Sequence, residues 1–261
     1  MTHSPAKAAV RTVLLAAVTA GLLPVYLVLA ALVPSCRHGI KVLFFKTCLA
    51  CTGLRVRVHG APALRAALTV ANHVSYLDIP ALGSVLGAHA FVAKSEVAGW
   101  PVLGLLARMV GTVFIARRAV HAADHLTMLG ERLSKGQGVI VFPEGTSTDG
   151  SDVAAFKSTL FAVMDRADGR LPVQPVSVIY SRSREALAWW GDMTMPDHLW
   201  RVLGGQGGEV DVVFHPPVYR ADFRDRKDMT RYCEVVVRDA LHAQLGGSLA
   251  VEPRSATLAA E

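Results

Sequence analysis

The amino-acid sequence predicts an α/β fold with a mostly parallel open sheet flanked by helices, preceded by N-terminal membrane-associated helices. Two observations support this prediction. After residue 60, short apolar runs rich in β-branched residues alternate with stretches of helical periodicity, and such alternation is typical of a parallel sheet. Before residue 60 the apolar runs are longer, and residues 12–35 contain no charged side chain.

The composition favours a partner that is negatively charged and partly apolar. The chain of 261 residues has a formal net charge of +6 and is 52% hydrophobic, and its mean hydropathy is +0.36. A basic chain suggests nucleic acid or a membrane surface as its partner. The sequence lacks zinc-finger and RNA-recognition signatures, and its basic residues are not interleaved with aromatic ones. We therefore expect a membrane as the partner, and no nucleic acid.

The first 60 residues are predicted to form a membrane anchor and an interfacial helix. The uncharged run at 12–35 is long enough to cross about 30 Å of hydrocarbon as a helix, and membrane helices tolerate a proline such as Pro24. Because basic residues flank the run on both sides, it either spans the bilayer or enters one leaflet. Residues 37–60 mix apolar and basic side chains at helical spacing, as interfacial helices do. A cleaved signal peptide is the alternative, but the run is long for one, and "VPS" is a poor cleavage site.

Residues 61–245 are predicted to form the main domain, and residues 246–261 a mobile tail. Short buried runs such as "GVIVF" indicate strands, and the glycine of "SKGQG" indicates the end of a helix. The expected strands are 67–71, 89–93, 112–116, 138–142, 173–180 and 209–215. The expected helices are 76–87, 102–109, 120–134, 156–167 and 226–245.

Two pairs of residues are of types that can bind metals, Cys and His, but neither pair predicts a metal site. Cys48 and Cys51 form a C-x-x-C without a second pair of ligands at matching spacing. We interpret them as small apolar residues on one helical face. His121 and His125 stand one helical turn apart without a recognisable third ligand, and we interpret them as part of an exposed helical face. No metal is expected.

Charged and small polar residues follow four of the predicted strands. The first strand is followed by "NHVSYLD" (72–78), the second ends at Lys94, the third leads to Arg117 and Arg118, and the fourth leads to "FPEGTSTDG" (142–150). Because the carboxyl ends of parallel strands meet at one edge of a sheet, where ligands bind, we expect one site there. The alternatives are a solvated lysine, a surface pair of arginines and an ordinary turn.

The pair of His73 and Asp78 has two interpretations. Within one helix, five residues advance the chain by about 500°, so the two side chains would diverge by about 140°. They converge only if His73 lies in a loop before the helix predicted at 76–87. A carboxylate on one ring nitrogen then fixes the tautomer, and the other nitrogen accepts a proton. Alternatively, Ser75 and Asp78 have capping-box spacing, and Asp78 only satisfies backbone N–H groups at the helix start.

No recognisable protein nucleophile accompanies this pair. The sequence lacks G-x-S-x-G, a P-loop and G-x-G-x-x-G, which disfavours serine hydrolases and nucleotide-binding proteins. A general base without a protein nucleophile suits the activation of a hydroxyl group on a substrate. That hydroxyl then attacks an activated acyl carbon directly.

Four sequence blocks, in their order and spacing, resemble the glycerolipid acyltransferase family, which includes 1-acyl-glycerol-3-phosphate acyltransferases. The blocks are "NHVSYLD" (72–78), "GTVFIAR" (111–117), "VFPEGTS" (141–147) and "LPVQPVSVIY" (171–180). The N-terminal membrane-associated helices also resemble the family. The resemblance implies the glycerolipid acyltransferase fold and transfer of a fatty acyl group from an acyl thioester to the free hydroxyl of a lysolipid. The expected reaction converts 1-acyl-sn-glycerol-3-phosphate to phosphatidic acid.

The resemblance also implies roles for individual residues. His73 is expected to be the general base, with Asp78 as its orienting partner. The residues expected to hold the head group of the acceptor are Arg117, Glu144, Gly145 and Thr146. Lys94 is expected to add positive charge to that pocket, and Pro175 to shape the acyl-donor side. The donor is expected to be acyl-CoA or acyl-carrier protein, with no bound cofactor, and the active site to face the cytoplasm at the inner membrane.

The segment "AWWGDMTMPDHLW" (188–200) is more similar to the bacterial branch that acylates lyso-ornithine lipid. That acceptor has no phosphate, so Arg117 would meet the ornithine carboxylate or only shape the pocket. Trp189, Trp190 and Trp200 are interfacial anchors in the alternative interpretation. More distant alternatives are a hydrolase that activates water with the same His/Asp pair, and a lipid-binding protein without activity.

Overall fold

The computed structural model describes residues 3–33, 36–63, 67–87, 89–115, 122–166 and 171–246. The predicted tail from residue 247 onward lies outside these ranges, as do Arg117, Arg118 and His121.

Two long helices come first in the chain, α1 at Pro5–Leu32 and α2 at Cys36–Thr52. Helix α1 begins before the predicted run because the Ser4 side chain accepts a hydrogen bond from the backbone N–H of Lys7 and because proline is favoured in a first turn. By length and composition, the Pro5–Leu29 part of α1 is able to cross a membrane. Its apolar 18-residue window is not buried, so α1 is not a core helix.

In the described part of the chain, eight strands form one sheet. They are β1 Leu54–His59, β2 Leu68–Ala71, β3 Ala90–Lys94, β4 Val113–Ile115, β5 Val139–Val141, β6 Pro172–Arg182, β7 Gly208–Phe214 and β8 Val218–Tyr219. Their order is β1-β7-β6-β2-β5-β3-β4, and β8 pairs with β6. The neighbours of β2 and β3 are parallel to them, as β1 is to β7, and β7 and β8 run antiparallel to β6. The prediction of a mostly parallel open sheet is confirmed.

Helices cover both faces of this sheet. They are α3 Asp78–Leu86, α4 Leu103–Met109, α5 Ala122–Ser134, α6 Ala162–Arg166, α7 Arg184–Leu187, α8 Met195–Gly204 and α9 Arg226–Leu245, with 3₁₀ turns at Ser95–Gly99 and Arg220–Asp222. On one face Ala71 and Val178 belong to an apolar cluster with Leu82 of α3. On the other face Val70 belongs to a second cluster with Val237 of α9. Successive residues of a strand thus point into different cores.

The six predicted strands are all present, with bounds that differ by no more than two residues. The helix predicted at 156–167 is wrong over its first half, since α6 begins only at Ala162. The backbone N–H of Phe156 donates to the Glu234 carboxylate, and that of Lys157 donates to the carbonyl of Pro143. These partners satisfy the first two N–H groups of this segment without a helix.

The interfacial helix predicted over 37–60 is also wrong beyond Thr52. Gly53 has a φ of +71°, a left-handed conformation that ends helices and favours glycine. Strand β1 follows at once and pairs with β7 at the edge of the sheet. Its letters, "LRVRVH", alternate apolar and polar side chains, which is the period of a strand.

Candidate active site

The loop between β2 and α3 begins with Asn72, whose side chain forms the hydrogen bonds that the backbone of a strand would form. The amide of Asn72 donates to the carbonyl of Val178 on β6 (2.9 Å) and accepts from the backbone N–H of the same residue (2.7 Å). Asn72 is 1% exposed. The two bonds continue the contact of β2 with β6 and hold the loop at the carboxyl end of the sheet.

His73 and Asp78 lie together in this loop. The distance from Nδ1 of His73 to Oδ2 of Asp78 is 2.7 Å. Asp78 is the first residue of α3 and is fully buried, whereas the imidazole side chain is 19% exposed. Because a carboxylate accepts hydrogen bonds, Nδ1 carries the proton, and Nε2 has the free lone pair. His73 therefore lies in a loop before α3, the position in which its side chain can meet that of Asp78.

Asp78 also accepts hydrogen bonds from the backbone, as the capping interpretation predicted. Its Oδ2 accepts from the backbone N–H groups of Val74 (2.8 Å) and Ser75 (3.1 Å). The hydroxyl of Ser75 is buried without a hydrogen-bond partner in the described residues, so only half of a capping box forms. One carboxylate thus both fixes the loop and orients the imidazole.

The turn after β5 holds His73 from the other side. The phenyl ring of Phe142 stacks on the imidazole with ring centroids 4.2 Å apart. The carboxylate of Glu144 accepts from the backbone N–H of His73 (2.7 Å) and from that of Ala154 (2.8 Å). The backbone N–H of Thr148 donates to the carbonyl of His73 (2.9 Å). Glu144 is 3% exposed, and burial raises its pKa to about 7, although both hydrogen bonds favour the ionised form.

Among the remaining predicted site residues, Gly145 is partly exposed and Thr146 is exposed. Lys94 is the last residue of β3 and is exposed at the same edge of the sheet. Pro175 is buried within β6, opposite Val70 of β2. Arg117 lies outside the described residues. The structure thus brings together the loop at residues 72–77, the histidine loop, and the turn at residues 142–150, the glycine turn. Glu144 points into the protein, and Pro175 lies in the sheet.

Four further side chains near the loop were not singled out from the sequence. The hydroxyl of Tyr180 donates to Oδ1 of Asp78 (2.7 Å). The hydroxyl of Tyr76 lies 3.0 Å from Nδ1 of His198 on α8. Burial lowers the pKa of His198 and raises that of Tyr76, so the tyrosine is the donor. The ammonium of Lys157 occupies the space where a side chain at Gly145 would begin. For Tyr180 the available signal was its place at the end of the strand predicted at 173–180.

Within the described residues, no group of three or more His, Cys, Asp or Glu side chains is placed to hold a metal ion. Cys48 and Cys51 are free thiols in α2. Burial raises the pKa of Cys48 to about 12, so this thiol is protonated at neutral pH.

Gly150 offers a test of how closely the glycine turn contacts the loop. Its φ is +72°, and an added Cβ would lie 2.9 Å from Cγ1 of Val74, next to His73. Gly136 has a similar φ of +77°, but an added Cβ meets nothing within 4 Å. We expect Gly136→Ala to cost about 1–2 kcal/mol for the left-handed backbone. We expect Gly150→Ala to cost about 1–3 kcal/mol more for the overlap with Val74. Thermal unfolding in detergent measures both, and equal losses would contradict this contact.

The chain resembles known acyltransferases in sequence and in fold. A protein-family model described as "Acyltransferase" matches residues 55–179. The lyso-ornithine lipid O-acyltransferase of Rhodobacter capsulatus is 41% identical over 203 residues, which cover 75% of this chain and 73% of that protein. The 1-acyl-sn-glycerol-3-phosphate acyltransferase of Neisseria gonorrhoeae is 31% identical over 212 residues, which cover 78% and 82%. The crystal structure of the 1-acyl-sn-glycerophosphate acyltransferase PlsC from Thermotoga maritima matches 78% of each chain with a TM-score of 0.61 and 28% identity. The chain therefore belongs to the acyltransferase family, and its relatives are lysolipid O-acyltransferases.

Proposed function

We propose that the protein is a membrane-associated O-acyltransferase in which His73 activates the free hydroxyl of a lysolipid. The observation that carries this proposal is the 2.7 Å contact between Nδ1 of His73 and the buried carboxylate of Asp78. It leaves Nε2 as the basic nitrogen. The partial exposure of the imidazole gives a substrate hydroxyl access to that nitrogen.

The proposed reaction is a direct attack of the lysolipid on the thioester. The hydroxyl gives its proton to Nε2 of His73 while its oxygen bonds to the acyl carbonyl carbon. The carboxylate of Asp78 stabilises the imidazolium that forms. The tetrahedral adduct then collapses, the carbon–sulfur bond breaks, and the imidazolium returns the proton to the leaving thiolate. The products are an ester and a thiol, and His73 is neutral again.

The head group of the acceptor is proposed to lie against the turn after β5. Gly145 and Thr146 are accessible there, and Lys157 places a positive charge beside Gly145. Glu144 is buried with both oxygens bonded to backbone N–H groups. We therefore assign Glu144 to the support of the histidine loop and not to direct contact with substrate.

Lys94 and Arg117 keep the proposed role of positive groups near the head group. Lys94 ends β3 and pairs in register with Ile115 of β4, two residues before Arg117. The carboxyl ends of these two strands lie at the same edge as the histidine loop. A carboxylate or phosphate on the acceptor suits such cations.

The proposed acyl donor is a thioester of CoA or of acyl-carrier protein. The mechanism requires a good leaving group on the acyl carbon, because the described site offers the histidine base and no assigned protein nucleophile. Pro175 is buried in β6, so any effect on the donor acts through the shape of the sheet beneath the loop.

The N-terminal region is proposed to anchor the enzyme at the inner membrane with the site facing the cytoplasm. Helix α1 has the length and composition for this role, and Trp190 and Trp200 are 47% and 42% exposed, as interfacial anchors are. We place the start of the catalytic domain at Leu54, since β1 pairs within the sheet. The catalytic domain then continues to residue 245, and residues 246–261 are proposed to be a tail.

Lyso-ornithine lipid is the acceptor that we propose first. The relative that acts on this lipid is more similar to the chain than the relative that acts on 1-acyl-sn-glycerol-3-phosphate. The second candidate is 1-acyl-sn-glycerol-3-phosphate itself, because the similar solved structure is an enzyme for that acceptor. Both acceptors present a free hydroxyl and an anionic group.

An acceptor screen tests the proposed function. Purified protein in detergent receives a labelled acyl thioester with lyso-ornithine lipid, with 1-acyl-sn-glycerol-3-phosphate, or with neither. We expect a two-chain lipid that forms only with acceptor, faster with lyso-ornithine lipid. His73→Ala should lower this rate by about 10² to 10⁴-fold. Release of free fatty acid without acceptor would indicate a hydrolase, and no turnover with either lipid would indicate a binding protein.

Asp78→Asn separates the two roles of this carboxylate. The amide oxygen can keep the hydrogen bonds to His73, Val74 and Ser75, and the amide NH₂ can donate to the oxygen of Tyr180. We therefore expect the fold to survive while activity falls by about 10²-fold or more, because the imidazolium loses its charged partner. Turnover per folded molecule and the melting temperature are measured together. A large loss of stability with normal turnover per folded molecule would show that Asp78 only supports the loop.

A further inference from the structure

The second oxygen of the Asp78 carboxylate has its own hydrogen-bond donor. Tyr180 lies on β6, 102 residues further along the chain, and its hydroxyl donates to Oδ1 of Asp78 over 2.7 Å. Tyr180 is 2% exposed and Asp78 is fully buried. Water therefore does not replace this bond easily.

The bonds to Asp78 divide between its two oxygens. Oδ2 accepts from Nδ1 of His73 and from the backbone N–H groups of Val74 and Ser75, while Oδ1 accepts from Tyr180. The backbone hydrogen bonds fix the position of Oδ2. The bond from Tyr180 to Oδ1 fixes the rotation of the carboxylate about the Cβ–Cγ bond of Asp78. The direction of the lone pair that meets the imidazole depends on both.

Tyr180 remains a neutral donor over the working pH range. Burial, followed by the charge of Asp78, raises the pKa of its hydroxyl well above the ordinary value. Other titratable groups near the pair are Glu144, on the backbone N–H of His73, and Tyr76, which lies within electrostatic range of Tyr180. Neither bonds to Oδ1.

We propose that Tyr180 is a positioning residue that sets the basicity of His73 through Asp78. This inference rests on the proposed function of His73 as the general base. A hydrogen bond to Oδ1 disperses the negative charge of the carboxylate, which then stabilises an imidazolium less strongly. Without the tyrosine hydroxyl, the His73–Asp78 unit holds its proton more tightly. His73 is then protonated, and inactive as a base, up to a higher pH.

Tyr180→Phe tests this proposal through the pH dependence of kcat/KM. We expect the midpoint of the acid limb to rise by about 0.5–1 pH unit. A shift of one unit corresponds to most of the free energy that one charge-assisted hydrogen bond contributes. We also expect kcat on the plateau to fall by about 10-fold, because the carboxylate loses its fixed orientation. KM for the lysolipid should change much less than kcat.

Tyr76→Phe is the matched control. It removes another phenol hydroxyl from the histidine loop, but that hydroxyl is bonded to His198 and not to Asp78. Its midpoint should stay at the wild-type value even if its melting temperature falls. Glu144 is unchanged in both variants, so its own titration contributes equally to the three profiles.

A protein with fluorotyrosine at position 180 is a second test, and it should keep the wild-type fold. The fluorinated phenol is a stronger donor of almost the same size, so the midpoint should move to lower pH, opposite to Tyr180→Phe. An unmoved midpoint in this protein, or in a folded Tyr180→Phe protein, would overturn the inference and leave Tyr180 a structural residue. Wild-type protein that acylates neither lysolipid would instead overturn the proposed function.

Discussion

The candidate site depends on two buried carboxyl groups whose oxygens must find hydrogen-bond donors within the fold. Asp78 and Glu144 are 0% and 3% exposed, and a buried carboxylate without hydrogen-bond donors is strongly unfavourable. Asp78 is satisfied by two loop N–H groups, by the imidazole and by a tyrosine. Glu144 is satisfied by the N–H groups of His73 and Ala154. The same hydrogen bonds that satisfy the two buried carboxyl groups also fix the place of His73.

The parallel sheet explains why residues far apart in sequence meet at this loop. Strands β2 and β5 are parallel neighbours, so the loops that follow them leave the sheet at the same edge. His73 comes after one strand and Glu144 after the other, and the Asn72 amide extends β2 against β6. Each carboxylate therefore reaches His73 from a different direction, one from its own helix and one from the adjacent turn.

The sequence predicted the fold better than the roles of single side chains. Strands were recognisable because a buried apolar run with β-branched residues is a local feature of the sequence. The edge strand β1 was missed because its basic residues resemble those of an interfacial helix. Helix geometry predicted a loop position for His73 only on the condition that its side chain meets that of Asp78. The burial of Glu144 could not be predicted from the sequence, because its second partner, Ala154, lies ten residues away in a segment that was expected to be a loop. The contact of Tyr180 depends on the strand order, which the sequence does not state.

Helix α8 connects the N-terminal helix to the site. The backbone N–H of Ser4 donates to Gly204 at the end of α8 (3.0 Å), and the guanidinium of Arg11 donates to two nearby carbonyl groups (3.1 and 3.2 Å). On the same helix, His198 contacts Tyr76 of the histidine loop. The start of α1 and the loop thus both contact α8 or the residue that follows it. A lysolipid gains about 0.8 kcal/mol for each methylene kept in hydrocarbon. A site in contact with a helix that is proposed to anchor the protein in the membrane suits a substrate whose chain stays in the bilayer while its hydroxyl reacts.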